Sequence, residues 1–229
     1  MLAEQTRQDQ ITNDLANSST PGYKADRSMQ ASFGTMLLEN TANGQAIGSL
    51  GLGAQITSTY TDLTPAPLKQ TDEPLDVALD GQGFFAVQTP AGPRYTRDGQ
   101  FVVDGNGRLA TATGYPVLDA NGRTIALGGS DGLTIDSGGV IQRNGRTIAT
   151  LGVASLTNPV KQGDTLFAGA AGPRPTGTAV RQGFLEGSGV DPTKAMVEMI
   201  TSLRTYESDQ KAISSIDETL QKGIQAGGV

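Results

Sequence analysis

Residues 95–108 have the sequence YTRDGQFVVDGNGR, in which a short apolar run lies between two Asp-Gly dipeptides. Asp-Gly pairs supply the positive φ angles of tight hairpin turns, so Asp98-Gly99 and Asp104-Gly105 predict strand ends. Phe101-Val102-Val103 between them has the length and composition of a strand and is too short for a helix. This stretch therefore predicts antiparallel strands joined by tight turns.

The same alternation of turn signals and short apolar runs extends through residues 70–180. The turn dipeptides of this region are Asp80-Gly81, Asp98-Gly99, Asp104-Gly105, Asn121-Gly122, Asp131-Gly132 and Asn144-Gly145. The chain holds 31 glycines among 229 residues, well above the average share of about 7%. Residues 70–180 are therefore predicted to form a central, mainly antiparallel β domain. Residues 25–69 are predicted to be an extended or irregular connector, with a loop over Asn43–Gly53.

Both ends of the chain have helical patterns. Residues 2–16 are rich in good helix formers and end before Pro21-Gly22, which cannot continue a helix. At the other end, Asp191 is a good N-cap and Pro192 suits the first helical position. Apolar residues then recur at spacings of three and four, or their sums, interrupted at Gln210 and Asp217. From Pro192 to Lys222 this helix would be about 46 Å long, too long for a small β domain to cover.

The predicted fold class is therefore α+β. A discontinuous helical domain of coiled-coil type, built from residues 1–24 with 186–224, accompanies the central β domain over residues 70–180. Neither apolar stripe is strong enough to fold alone, so each is expected to pack on the other or on a neighbouring subunit. The predicted interface residues are Leu2, Ile11, Leu15, Met196, Met199, Leu203, Tyr206, Ile213 and Leu220.

Composition argues against several classes of function. The chain has no histidine and no cysteine, which removes the commonest zinc ligands and every Ser-His or Cys-His catalytic pair. A formal net charge of −6 does not favour nucleic-acid binding. Asp104-Gly105-Asn106-Gly107 is not an EF-hand, because the twelfth position is Tyr115. We therefore predict no enzyme, with no catalytic, cofactor, metal or small-molecule substrate site.

Four blocks, in order, carry a resemblance to a known family. They are Asn13–Lys24, Glu73–Phe85, Tyr95–Phe101 and Gln182–Val190, the last continuing into the carboxyl-terminal helix. Together they resemble the flagellar rod and hook proteins, and most closely the rod branch. The signature motif residues are Asn13, Leu15, Ala16, Asn17, Thr20, Gly22 and Tyr23.

The resemblance implies a structural subunit of the bacterial flagellar basal body, in the distal or proximal rod. Such a subunit polymerises helically with itself and with other rod and hook proteins, transmits torque, and lines the export channel with its terminal helices. It crosses the periplasm or cell wall after leaving the cell through the flagellar type III export apparatus, without a cleaved signal peptide. Family members usually have a short apolar segment before the position of Met1, so Met1-Leu2-Ala3 resembles the interior of their helix.

Gly189 stands where the family often has Asn, and both residues tolerate a positive φ. A function of another class remains open from the β region alone, namely a secreted β-rich adhesin or carbohydrate-binding module. The helical termini at both ends of the chain count against that alternative.

Overall fold

The computed structural model describes residues 2–32, 35–39, 46–51, 54–129, 132–163 and 165–227. It confirms the mixed α+β fold. Helix α1 is Leu2–Ala16 and helix α2 is Pro192–Gly227. The strands are β1 Asp26–Ser32, β2 Thr35–Glu39, β3 Ala46–Gly51, β4 Ala54–Thr61, β5 Leu68–Gln70, β6 Val77–Asp80, β7 Phe84–Thr89, β8 Gly92–Thr96, β9 Phe101–Val103, β10 Leu109–Thr111, β11 Leu133–Ile135, β12 Val140–Arg143, β13 Arg146–Thr150, β14 Val153–Lys161, β15 Leu166–Gly172, β16 Ala179–Gln182 and β17 Phe184–Glu186.

The chain divides into two compact units. The helical unit comprises Met1–Ala16, Asp26–Thr61 and Asp191–Val229, and the β unit comprises Asn17–Ala25 and Asp62–Val190. Compared with the predicted boundaries, Asn17–Ala25 groups with the strands, whereas Asp26–Thr61 groups with the helices. Hydrogen bonds explain the first difference, because Gly22 N donates to Glu186 O and Asp62 N donates to Ala25 O within the β unit.

In the helical unit, α1 packs on α2. Asp191 caps α2 as predicted, since its Oδ1 accepts hydrogen bonds from Thr193 N at 2.9 Å and Lys194 N at 3.2 Å. Strand β1 pairs with β4 and β2 pairs with β3, both antiparallel. The loop predicted over residues 43–53 is in part strand β3, because backbone pairing with β2 overrides the glycines there. Residues 43–45, 52 and 53 lie outside the described residues.

In the β unit every strand pair is antiparallel. Strands β14, β15, β8 and β7 close a small barrel in that order, and β11, β12 and β13 form a three-stranded sheet. The pairs β9–β10, β6–β16 and β5–β17 complete the unit. One core of buried apolar side chains lies among them, formed by Val77, Leu79, Phe85, Val87, Phe101, Leu109, Val117, Ile125, Leu127, Leu133, Ile135, Ile141, Leu151, Val153 and Val180.

The turn dipeptides do not all act as predicted. Asn144 and Gly145 both have positive φ, 50° and 77°, as a tight turn between β12 and β13 requires. Gly99 and Gly105 do not have the predicted positive φ, so the sequence prediction was wrong for both. Gly105 lies inside a longer turn whose left-handed residue is Gly107, with φ 73°. Asp131 of another predicted turn lies outside the described residues.

That longer turn is built around the carboxylate of Asp104. Its Oδ1 accepts hydrogen bonds from Asn106 N and Arg108 N, both at 2.8 Å, while Gly107 N donates to Asp104 O. The backbone N–H of Arg108, assisted by its guanidinium, holds the pKa of Asp104 below its ordinary value. Asp119–Arg123 repeats the same backbone pattern, with Gly122 in the place of Gly107. The carboxylates of Asp104 and Asp119 therefore each stabilise their own turn.

Candidate functional site

The predicted interface residues of α2 lie on a largely uncovered helix. Met199 and Tyr206 are half-buried, whereas Met196, Leu203, Ile213 and Leu220 are exposed, Leu203 by 45%. Val197, Ile200, Ile216 and Ile224 are further exposed apolar side chains of the same helix. Ala195 and Ser202 of the same helix are buried. The first half of α2 therefore has a covered face and an exposed apolar face.

The predicted interface residues of α1 divide in a similar way. Ile11 is 6% exposed and Leu15 is half-buried, while Leu2 is 81% exposed. A hydrogen bond of 3.0 Å from Ser202 Oγ to Glu4 Oε2 links α1 to the first half of α2. Because α1 has 15 residues and α2 has 36, about 22 Å against about 54 Å, α1 cannot cover the whole of α2. All side chains from residue 211 to 225 are exposed accordingly.

The signature motif has its buried part in Asn17–Ala25, which we call the signature loop. Tyr23 is completely buried, and Gly22 is buried with φ 66°. Asn17 and Thr20 are half-buried and hydrogen-bond to each other, from Thr20 Oγ1 to Asn17 Oδ1 at 3.1 Å. The helical motif residues Asn13 and Ala16 are exposed instead. The structure thus brings the second half of the motif, and not the first, into the β unit.

A cluster of three buried charges holds the signature loop. Lys24 Nζ donates to Glu186 Oε1 at 2.6 Å, and Arg97 Nη1 donates to Glu186 Oε2 at 3.0 Å. The side chains of Lys24 and Glu186 are fully buried, and that of Arg97 is 2% exposed. Burial lowers the pKa of the Lys24 ammonium, and the Glu186 carboxylate beside it opposes that shift. We call Lys24, Arg97 and Glu186 the anchor cluster.

Lys161, the last residue of β14, also contacts the signature loop. Its Nζ lies 4.0 Å from the centroid of the Tyr23 ring and donates to Lys24 O at 2.8 Å. A cation placed over an aromatic face in this way is attracted by the ring quadrupole. Both large buried side chains of the loop therefore have a charged partner. The Tyr23 ring contacts Lys161, and the Lys24 ammonium contacts Glu186.

The segment that leads into α2, residues 187–190, runs beside the signature loop. Gly189 N donates to Tyr23 O at 2.9 Å, and Ser188 Oγ donates to Asn17 O at 2.9 Å. Gly189 does not have the positive φ that its exchange with Asn suggests. A Cβ there would lie 3.2 Å from Tyr23 O, a tight contact.

The predicted site residues do not include Lys24, Arg97 or Glu186. One signal was available, because three of the four resembling blocks each contain one member of the anchor cluster. Isolated charges in a sequence are usually solvated, so the pattern alone does not show that they meet. Among the described residues, no group of three His, Cys, Asp or Glu side chains could hold a metal ion. No described helix is both long and apolar enough to cross a membrane.

Comparison with known protein families agrees with this architecture. Residues 78–152 match the family described as flagellar hook protein FlgE/F/G D1 domain, which covers much of the β unit and Arg97. Residues 181–226 match the family described as flagellar basal body rod FlgEFG protein C-terminal, which covers Glu186 and most of α2. The structural class is therefore a flagellar axial protein with a β unit and helical ends.

Whole proteins give the same result. The flagellar basal-body rod protein FlgG of Bacillus subtilis is 35% identical, over 95% of this chain and 92% of that protein. The flagellar basal-body rod protein FlgF of Rhizobium meliloti is 32% identical, over 99% of this chain and 94% of that protein. The flagellar hook-basal body complex protein FlhO of Bacillus subtilis is 30% identical, over 100% of this chain and 95% of that protein. The chain belongs to the flagellar basal-body rod protein family.

Proposed function

We propose that the chain is a structural subunit of the flagellar rod that polymerises helically through its terminal helices. In that assembly it transmits torque and lines the export channel, at a distal or proximal position. Its partners are further copies of itself and other rod and hook proteins, and it catalyses no reaction. No comparison supports the alternative of an adhesin or carbohydrate-binding module.

The observation that carries this proposal is the apolar surface of α2. Met196, Val197, Ile200 and Leu203 are exposed at helical spacing, and Ile213, Ile216, Leu220 and Ile224 continue along the length that α1 leaves uncovered. A monomeric protein rarely exposes contiguous apolar surface, and a larger patch of this kind marks a protein interface. Helices of neighbouring subunits, packed in coiled-coil fashion, would bury both groups.

The test is truncation of an exposed apolar side chain on α2. Leu203→Ala and Tyr206→Ala should leave a soluble protein with the wild-type circular dichroism spectrum of its strands, because neither belongs to the core of the β unit. In the rod, where Leu203 is buried, its truncation costs about 2–5 kcal/mol at every subunit. Both variants should therefore fail to complete a rod, as measured by motility and by hook assembly in a strain that lacks the native gene.

Val102→Ala is the matched control. Val102 is an apolar side chain of β9 that is 42% exposed, close to the exposure of Leu203. It lies in the β unit, so its truncation should leave motility unchanged. Normal swimming of Leu203→Ala, or unfolding of its β unit, would show that α2 is not the polymer interface.

We further propose that the subunit leaves the cell through the flagellar type III export apparatus without cleavage. The support is its membership of the flagellar basal-body rod protein family. A strain without the export ATPase or gate should retain the full-length protein in the cytoplasm, as seen by immunoblot of cell and culture fractions. Release at the wild-type level from that strain would contradict this route.

A further inference from the structure

Glu186 contacts three separate parts of the chain with one carboxylate. Oε1 accepts hydrogen bonds from Lys24 Nζ at 2.6 Å and from Ala66 N at 2.9 Å, and Oε2 accepts one from Arg97 Nη1 at 3.0 Å. Its backbone oxygen accepts a fourth hydrogen bond, from Gly22 N at 3.0 Å. Glu186 is also the last residue of β17, immediately before the segment that leads into α2. Both connections to the terminal helices thus meet at this residue.

The other members of the anchor cluster are fixed to the β unit independently. Arg97 Nη2 donates to Gly81 O at 2.9 Å, and its guanidinium carbon lies 5.3 Å from the centroid of the Phe84 ring. Lys24 Nζ donates a second hydrogen bond, to Thr64 O at 2.7 Å. Lys24 thus binds two parts of the β unit that are distant in sequence, and the loop can satisfy both directional bonds in one register only.

We propose that Glu186 is a positioning residue of the rod subunit, which fixes the signature loop and residues 187–190 in one register on the β unit. This inference rests on the proposed function, because the expected consequence of losing this register is a loss of rod formation. Desolvation offsets much of the attraction within a buried ion pair, so such pairs contribute little net stability compared with apolar packing. The role of the cluster is therefore geometric: it selects one docked arrangement of the two segments that carry α1 and α2.

Trypsin gives a direct measure of loop docking, because it must bind the side chain of Lys24 to cleave after it. In the wild-type protein Lys24 is fully buried, while the side chain of Arg27, three residues later, is 40% exposed and serves as an internal reference. Glu186→Gln keeps the size of the side chain but leaves Lys24 and Arg97 without their counter-charge. Cleavage after Lys24, relative to Arg27, should become about 100-fold faster, as expected when one partner of a buried pair is removed.

Two further readouts separate positioning from general stability. Hydrogen exchange of the β7 and β14 amides should be unchanged in Glu186→Gln, and the exported variant should form few or no completed rods. Asp80→Asn is the matched control, because it breaks the Arg181–Asp80 pair of 2.8 Å, whose side chains are 52% and 49% exposed. That control should change neither cleavage after Lys24 nor rod formation, since exposed pairs contribute little.

If Glu186→Gln does not fold, Lys24→Met tests whether the anchor cluster positions the signature loop. It keeps the Glu186–Arg97 pair but removes the side-chain bond between Glu186 and the loop, and hydrogen exchange of the loop amides at residues 22–25 should rise about 100-fold. Unchanged cleavage after Lys24 together with unchanged hydrogen exchange of the loop amides would overturn the proposal. An equal rise of hydrogen exchange in the amides of the β strands would overturn it too. Loop opening with normal rods would overturn it as well. The proposed function would survive all three results, because it is decided separately by Leu203→Ala.

Discussion

Gly99→Ala is expected to prevent folding of the β unit. A Cβ on Gly99 would lie 1.6 Å from Val77 O and 2.8 Å from Val77 C, both backbone atoms of β6. The same two residues are joined by a hydrogen bond of 3.0 Å from Val77 N to Gly99 O, so neither segment can move aside without losing it. Val77 is part of the core, and its displacement disrupts packing as well. The cost should exceed about 4 kcal/mol, comparable with the whole stability of many domains.

Gly105→Ala is the control for this prediction. Gly105 also follows an aspartate, six positions further on, but no described atom lies within 4 Å of a Cβ built there. Its replacement should change the free energy of unfolding by about 1 kcal/mol at most, with stabilisation possible through the unfolded chain. Urea titrations followed by circular dichroism compare the two variants. A cooperative transition of Gly99→Ala near the wild-type midpoint would contradict the close approach of Gly99 to β6.

Gly22→Ala should release the signature loop while the strands stay folded. Gly22 has φ 66°, and a Cβ on it would lie 2.3 Å from Arg97 C and 2.5 Å from Asp98 N. Both atoms are backbone, so no side-chain rotation relieves the overlap. The left-handed φ alone costs about 1–2 kcal/mol for a residue with a Cβ, and the overlap adds to it. We expect hydrogen exchange at residues 22–25 to approach that of free peptide, with loss of rod formation and motility.

Gly183→Ala isolates the cost of the backbone conformation. Gly183 has φ 75°, but the nearest atom to its Cβ would be Asp72 Cα at 3.6 Å, an ordinary contact. This variant should lose about 1 kcal/mol and keep a docked loop and a working rod. Protected loop amides in Gly22→Ala would show that Arg97 can yield to the added methyl group. Unfolded strands in the same variant would show that the loop is part of the β core.

Comparison of Gly99 with Gly105 shows how far the sequence determines the fold. Turn dipeptides, helix caps and apolar spacing are local signals, and they predict both helices and the central strands. Asp98-Gly99 and Asp104-Gly105 look alike by these criteria. Gly99, however, packs so closely on β6 that a Cβ has no room, whereas Gly105 lies in an open turn. The difference depends on what packs against each residue. No local pattern contains that information.

The same limit applies to the candidate site. Apolar residues at helical spacing identify the exposed face of α2, because helix periodicity is a property of the segment itself. The anchor cluster needs Lys24, Arg97 and Glu186 to meet, and their contacts span 162 and 89 positions of the chain. None of the three stands out in its own segment, and charged residues are mostly solvated. Glu186 is held in place by the pairing of β17 with β5, which joins two parts of the chain that are distant in sequence.

The junction of the signature loop with residues 187–190 also sets an order of events in folding. Lys24 and Glu186 are separated by 162 positions, and Ser188 and Asn17 by 171. Contacts between such distant residues close a very long loop, and proteins rich in them fold slowly. The junction cannot form while either segment is confined in a channel too narrow for folded structure. A subunit threaded amino terminus first through such a channel could form this junction only after about four-fifths of the chain has emerged.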